Sequence, residues 1–161
     1  MRGAPSLIAV ITVIAGSLIA CGSEDACDLP RQEAPYPASG VHLLDDTNVV
    51  WPSDLPTSGP HRALRPPGGI HHEPIPRLDQ VAFLESGGVV LHYSSSLTPR
   101  QIAQLQSLAG ATVAIAPNPV LGTGTPVAAT AWTWRLLCRT VELEVLDRFV
   151  NRHADTGGVP H

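Results

Sequence analysis

Between Trp51 and Pro76 the chain carries seven prolines and three glycines. Proline lacks an amide donor and fixes φ, so this stretch excludes a regular helix and a central strand. It must be an ordered loop packed on the domain or a mobile one, and regular structure has to be built around it. The apolar patterning places most of that structure downstream.

Val81 to Glu85 and Gly88 to Tyr93 are apolar-rich runs around Ser86-Gly87, the pattern of a hairpin or a bulged strand. Thr98-Pro99-Arg100-Gln101 is a helix start, with Thr as N-cap, Pro at the first helical position and Gln reaching back as in a capping box. Ile102, Leu105, Leu108 and Ala109 then form one apolar stripe and Gly110 ends it, which predicts a helix over about 98–109. Thr112 to Ala116 reads as a buried strand stopped by Pro117-Asn118-Pro119. Residues 120–126 form a loop, and Val127 to Leu137 reads as one long strand with Trp132 and Trp134 on one face.

A second helix is expected over about 141–152. Glu142 and Glu144 sit at its start, Arg148 and Arg152 at its end, and Leu143, Leu146, Phe149 and Val150 on one side, as dipole and burial both favour. Upstream, Val41 to Leu44 and Val49 to Trp51 suggest short strands around the Asp45-Asp46-Thr47-Asn48 turn. The sum is an α+β fold: a small two-layer domain with a short sheet, two helices and the long Pro/Gly-rich loop.

At the N-terminus an apolar run from Leu7 to Ala20 follows Met1-Arg2 and closes on Leu18-Ile19-Ala20-Cys21. About 14 residues are too few to span a ~30 Å hydrocarbon core, but they suit a cleaved signal peptide. The closing residues resemble a bacterial lipobox, which implies acyl chains on Cys21. Uncleaved anchoring and ordinary signal cleavage are the alternatives. The expected organisation is a signal peptide at 1–20, a flexible tether at 21–40 rich in acids and prolines, one domain at 41–155 and a tail at 156–161. The expected location is the cell envelope, extracytoplasmic and lipid-anchored.

After residue 20 the chain has nine arginines, no lysine and fourteen acids, a formal charge of −5. Such a surface is a poor partner for polyanions, and nucleic acid is set aside. With Cys21 taken by lipid, Cys27 and Cys138 remain as a candidate disulfide in an oxidising compartment. Free thiols or metal thiolates are the alternatives, although two cysteines this far apart lack the close spacing of a zinc site.

Pro56-Thr57-Ser58-Gly59-Pro60-His61, Glu73-Pro74-Ile75-Pro76, Leu84 to Val90 and Val127 to Trp132 together resemble a bacterial family of unknown function. Its members are small secreted or membrane-anchored proteins, and the likeness runs from about Trp51 to Phe149. The family pattern has a T-S-G-P-H loop, an H-x-L-E-H-G segment entering a strand that ends in Tyr, here Tyr93, and a V-A-T-A-W strand. Where that pattern has two histidines this chain has Ala82 and Ser86, with Glu85 between them. The resemblance implies a divalent transition-metal role, since neutral imidazole suits copper and zinc.

Two readings of function follow. One is a non-catalytic binding or interaction module, its Pro/Gly-rich loop around His61 meeting an envelope protein or peptide. The other is a copper- or zinc-binding protein using His61, His72, Glu85 and His92. A third, acid/base catalysis by a Glu and a His, has less behind it. No G-x-S-x-G elbow accompanies Ser94-Ser95-Ser96, and Gly122-Thr123-Gly124 lacks the lysine and helix start of a phosphate loop. The only methionine is Met1, which argues against a methionine-rich Cu(I) shuttle.

Overall fold

The structure, a computed structural model, describes residues 26–154. The expected signal peptide, Cys21 and the expected tail at 156–161 lie outside the described residues. Among those described, no helix is long and apolar enough to cross a membrane.

Nine elements follow one another among the described residues: β1 (Arg31–Gln32), β2 (Gly69–Ile70), α1 (Arg77–Glu85), β3 (Val89–Tyr93), α2 (Pro99–Gln106), β4 (Val113–Pro117), β5 (Val127–Ala131), β6 (Trp134–Cys138) and α3 (Leu143–His153). The strands form one mixed sheet in the order β1-β6-β5-β3-β4-β2. β3 and β4 run parallel, joined by the α2 crossover, and β5 and β6 pair antiparallel beside them. This is a small α+β domain.

Alternation along the central strands sends side chains to two separate cores. Val89, Leu91, Val113, Ile115, Val127 and Ala129 pack with Leu105 of α2 and with Leu146 and Phe149 of α3. Val90, Ala114 and Ala116 pack on the other face with Phe83 and Leu84 of α1. The expected two layers are thus corrected to three, because β3, β4 and β5 are buried on both faces and each face needs a cover.

The additional helix is α1, where the sequence suggested a strand over Val81 to Glu85. Leu78, Gln80 and every residue from Val81 to Glu85 are buried, so the segment lacks the one-sided period that marks a surface helix. Ser86-Gly87 is its C-cap: Gly87, at φ 83°, donates to the Leu84 carbonyl at 3.0 Å, and Gly88 donates to that of Phe83 at 2.9 Å. These are the two bonds of a Schellman motif. A Cβ on Gly88 would lie 2.4 Å from the Phe83 ring, so the chain needs glycine there to turn back under its own helix.

The helix over Pro99–Gln106 has its capping box, with Thr98 N donating to Gln101 Oε1 at 2.9 Å and Gln101 N donating to Thr98 Oγ1 at 3.3 Å. Thr98→Ala is expected to cost about 1 kcal/mol, read as a lower urea midpoint at unchanged slope.

Other expectations are corrected. The segment read as one strand over Val127–Leu137 is the β5–β6 hairpin, turning at Trp132-Thr133, so Trp132 joins the α1 core and Trp134 the opposite one. Thr133 has φ 60°, an unusual conformation for a β-branched residue. Its amide donates to the Thr57 carbonyl and its carbonyl accepts from Glu33 N, both at 2.8 Å, which holds the turn. Residues 41–51 contribute only an isolated bridge between His42 and His61. The tether reading fails from Cys27 onward: β1 pairs with β6, and Cys27 is disulfide-bonded to Cys138. Few apolar side chains were needed, because hydrogen bonds and a covalent bond hold the strap.

Candidate metal centre

The Pro/Gly-rich loop is not a surface feature where it matters. Leu55 to His61 are all buried, whereas residues 63–65, 67, 70 and 72–74 of the same loop are exposed. Both hydroxyls of the motif have partners. Thr57 Oγ1 donates to Glu33 Oε2 at 3.0 Å, and Ser58 Oγ accepts from Tyr36 N at 2.9 Å. Glu33 also pairs with Arg135 at 2.5 Å. Gly59 has φ 142° and lies against Trp51, where a Cβ would come within 3.0 Å of the ring. Downstream, Arg62 binds Asp79 of α1 at 3.0 Å.

All of this fixes His61. Its Nδ1 lies 3.1 Å from the Gly59 carbonyl oxygen, which can only accept, so Nδ1 carries a proton and Nε2 is directed away from the loop. That atom faces Glu85 Oε2 at 2.5 Å, at the C-terminal end of α1. The distance is that of an ion pair, yet Nε2 makes no directed hydrogen bond although it is buried. A lone pair against a carboxylate is repulsive unless a proton or a cation lies between them.

A third group completes the arrangement. His42 is bridged to His61, with His61 N donating to the Val41 carbonyl at 3.0 Å and Leu43 N to the His61 carbonyl at 2.8 Å. The two imidazoles meet edge-on with centroids 4.9 Å apart. One ligand atom from each of His42, His61 and Glu85 lies within 4.8 Å of the others, in the sole such group of His, Cys, Asp and Glu among the described residues. His61 and Glu85 are buried and His42 is exposed, so the group opens to solvent on one side.

Of the four expected ligands, His61 and Glu85 come together and two do not. His72 is exposed in the loop after β2, beside His71 and Glu73. His92 is buried on β3, with Nε2 donating to Thr130 Oγ1 at 3.0 Å and Nδ1 accepting from Asn118 at 3.3 Å. Both ring nitrogens are used, and burial pushes its pKa down to about 4. His42 was missed because 19 residues and a proline-rich loop separate it from His61. A parallel bridge between two irregular segments leaves no periodic trace in sequence.

The donor set fits a divalent transition metal. It combines two imidazoles and a carboxylate, one imidazole held by a carbonyl on its far nitrogen as metal-bound histidines are. Residues 42–161 match the model of a protein family of unknown function, DUF3105. No curated protein and no solved structure matches the chain.

Proposed function

We propose, for a chain that belongs to the DUF3105 family of proteins of unknown function, a lipid-anchored, extracytoplasmic and non-catalytic module that binds copper or zinc through His42, His61 and Glu85. The observation that carries this reading is the buried Nε2 of His61, set against Glu85 without a directed hydrogen bond. A divalent cation satisfies both groups at once, and His42 supplies the third ligand. Bound there, the ion would act as a Lewis acid with a position open on the solvent side. The two imidazoles and the carboxylate favour Cu(II) or Zn(II) over Cu(I), which prefers thiolate or thioether.

Helix geometry also supports the family pattern described above. Positions 82, 85 and 86 are spaced to share one face of α1 and its cap, so histidines at 82 and 86 would stand beside Glu85. Ala82 and Ser86 leave this chain with a reduced set, which His42 completes.

The test is titration of the mature chain in detergent micelles with Cu(II) and Zn(II), with bound metal counted after dialysis. One ion per chain with submicromolar affinity is expected. Loss of at least a hundredfold is expected in His61→Ala and in Glu85→Gln, and a smaller loss in His42→Ala. Ser86→His, at an exposed position, is expected to tighten binding. Failure of the wild type to retain metal would overturn the reading and leave the His61–Glu85 pair as a lock between loop and helix.

A further inference from the structure

A second feature lies on the opposite layer. Asp28, Leu29 and Pro30 form one wall of a groove of roughly 620 Å³, and Arg148, Phe149 and Arg152 of α3 form the other. Leu29 is 90% exposed, the most of any large apolar side chain among the described residues. Arg148 and Arg152 are one helical turn apart, both exposed, and neither has an ion pair among the described residues. Of the acids nearby, Asp28 binds Arg139 at 2.9 Å and Asp147 accepts from the neutral Asn151 amide at 2.9 Å, while Glu144 is exposed one turn before Arg148. A chain acidic overall thus presents two unpaired guanidinium groups beside an exposed leucine and an apolar groove.

We infer that this face is where the domain rests on its membrane, with anionic phospholipid as the partner: Arg148 and Arg152 on headgroup phosphates, and Leu29 with the groove taking the upper acyl region. The inference rests on the reading of Cys21 as the lipid-bearing residue. Cys21 and Cys27 are six residues apart, so an acylated Cys21 holds this wall within about 20 Å of the bilayer. At that range the encounter is intramolecular, and weak contacts suffice because the tether sets a high effective concentration. Guanidinium groups bind phosphate in a bidentate manner, and basic residues that the tether brings within a Debye length of an anionic surface gain from it. Docking through α3 leaves the His42–His61–Glu85 group on the α1 side of the sheet, turned away from the lipid.

The experiment uses the full mature chain, acylated in its host and reconstituted in vesicles of phosphatidylcholine with or without one-third phosphatidylglycerol. A photo-crosslinking amino acid replaces Leu29 in one protein and Leu44, exposed at the far loop, in another. Mass spectrometry first reads the acyl chains on Cys21. Phospholipid adducts at position 29 at least five times those at position 44 are expected on anionic vesicles. Arg148→Glu with Arg152→Glu should reduce them to the level seen on phosphatidylcholine alone. Acylated protein with equal adducts at 29 and 44 overturns the docking face and leaves the anchor standing. An unacylated Cys21 overturns the anchor reading and the docking face with it.

Discussion

Removing the Cys27–Cys138 disulfide, by reduction or as Cys27→Ala with Cys138→Ala, is expected to cost this domain about 3–5 kcal/mol. The cross-link closes a loop with a sequence separation of 111 residues, for which the chain-entropy model gives almost 5 kcal/mol at 25 °C. Domains of this size have only ~5–15 kcal/mol in total. Urea unfolding with and without reductant checks it: the midpoint should fall by about a fifth or more. An unchanged midpoint would mean that β1 pairing alone holds the strap.

The same loss should reach the proposed metal centre. Residues after Cys27 carry Glu33 and Tyr36, whose bonds to Thr57, Thr133 and Ser58 hold the loop that presents His61. Freeing the strap frees the loop, so the reduced protein should bind metal several-fold more weakly at temperatures where it is still folded. If affinity is unchanged, the loop is fixed by its contacts with α1 instead, through Arg62 and Asp79.

Legibility in the sequence followed local chemistry. The helix at Pro99–Gln106 announced itself through Thr98, Pro99 and Gln101, and α3 through its apolar side and terminal charges, because both are surface helices with one buried stripe. α1 did not, since burial on nearly all sides erased the period; Gly87 as a helix cap was the signal available, and it read equally as a hairpin turn. The β5–β6 turn had none, as Trp132-Thr133 contains no glycine, asparagine or aspartate and is held by Thr57 and Glu33 from distant segments. For the centre, the T-S-G-P-H loop and Glu85 stood out as residues, whereas their meeting with His42 is a tertiary fact. His92 has both ring nitrogens bonded within the sheet, a use that its letter alone does not distinguish from that of a ligand.

Acid is expected to separate those two kinds of histidine. His92 lies between Ala116 and Ala128 in the sheet register, with no charged side chain among its hydrogen-bond partners, and burial alone lowers its pKa from 6.5 to about 4. The neutral Nε2–H tautomer is fully used. Protonating Nδ1 would oppose the amide of Asn118, whose Oδ1 is already held by Val120 N at 3.1 Å. Because the folded pKa lies below the unfolded one, the unfolded chain takes up the proton first. Stability from this residue is therefore full above pH 6.5 and is lost as pH falls toward 4, by about 3 kcal/mol at 1.36 kcal/mol per unit. His92→Gln keeps polar groups in the site but cannot titrate. It should be less stable than wild type at pH 7, yet lose about 3 kcal/mol less on going to pH 4. His153, also lowered by burial and by Arg152, and the carboxylates titrate alike in both proteins and cancel. Urea midpoints at half-unit steps from pH 7 to 4 give both curves, and parallel curves would show that protonated His92 is accommodated in the folded sheet.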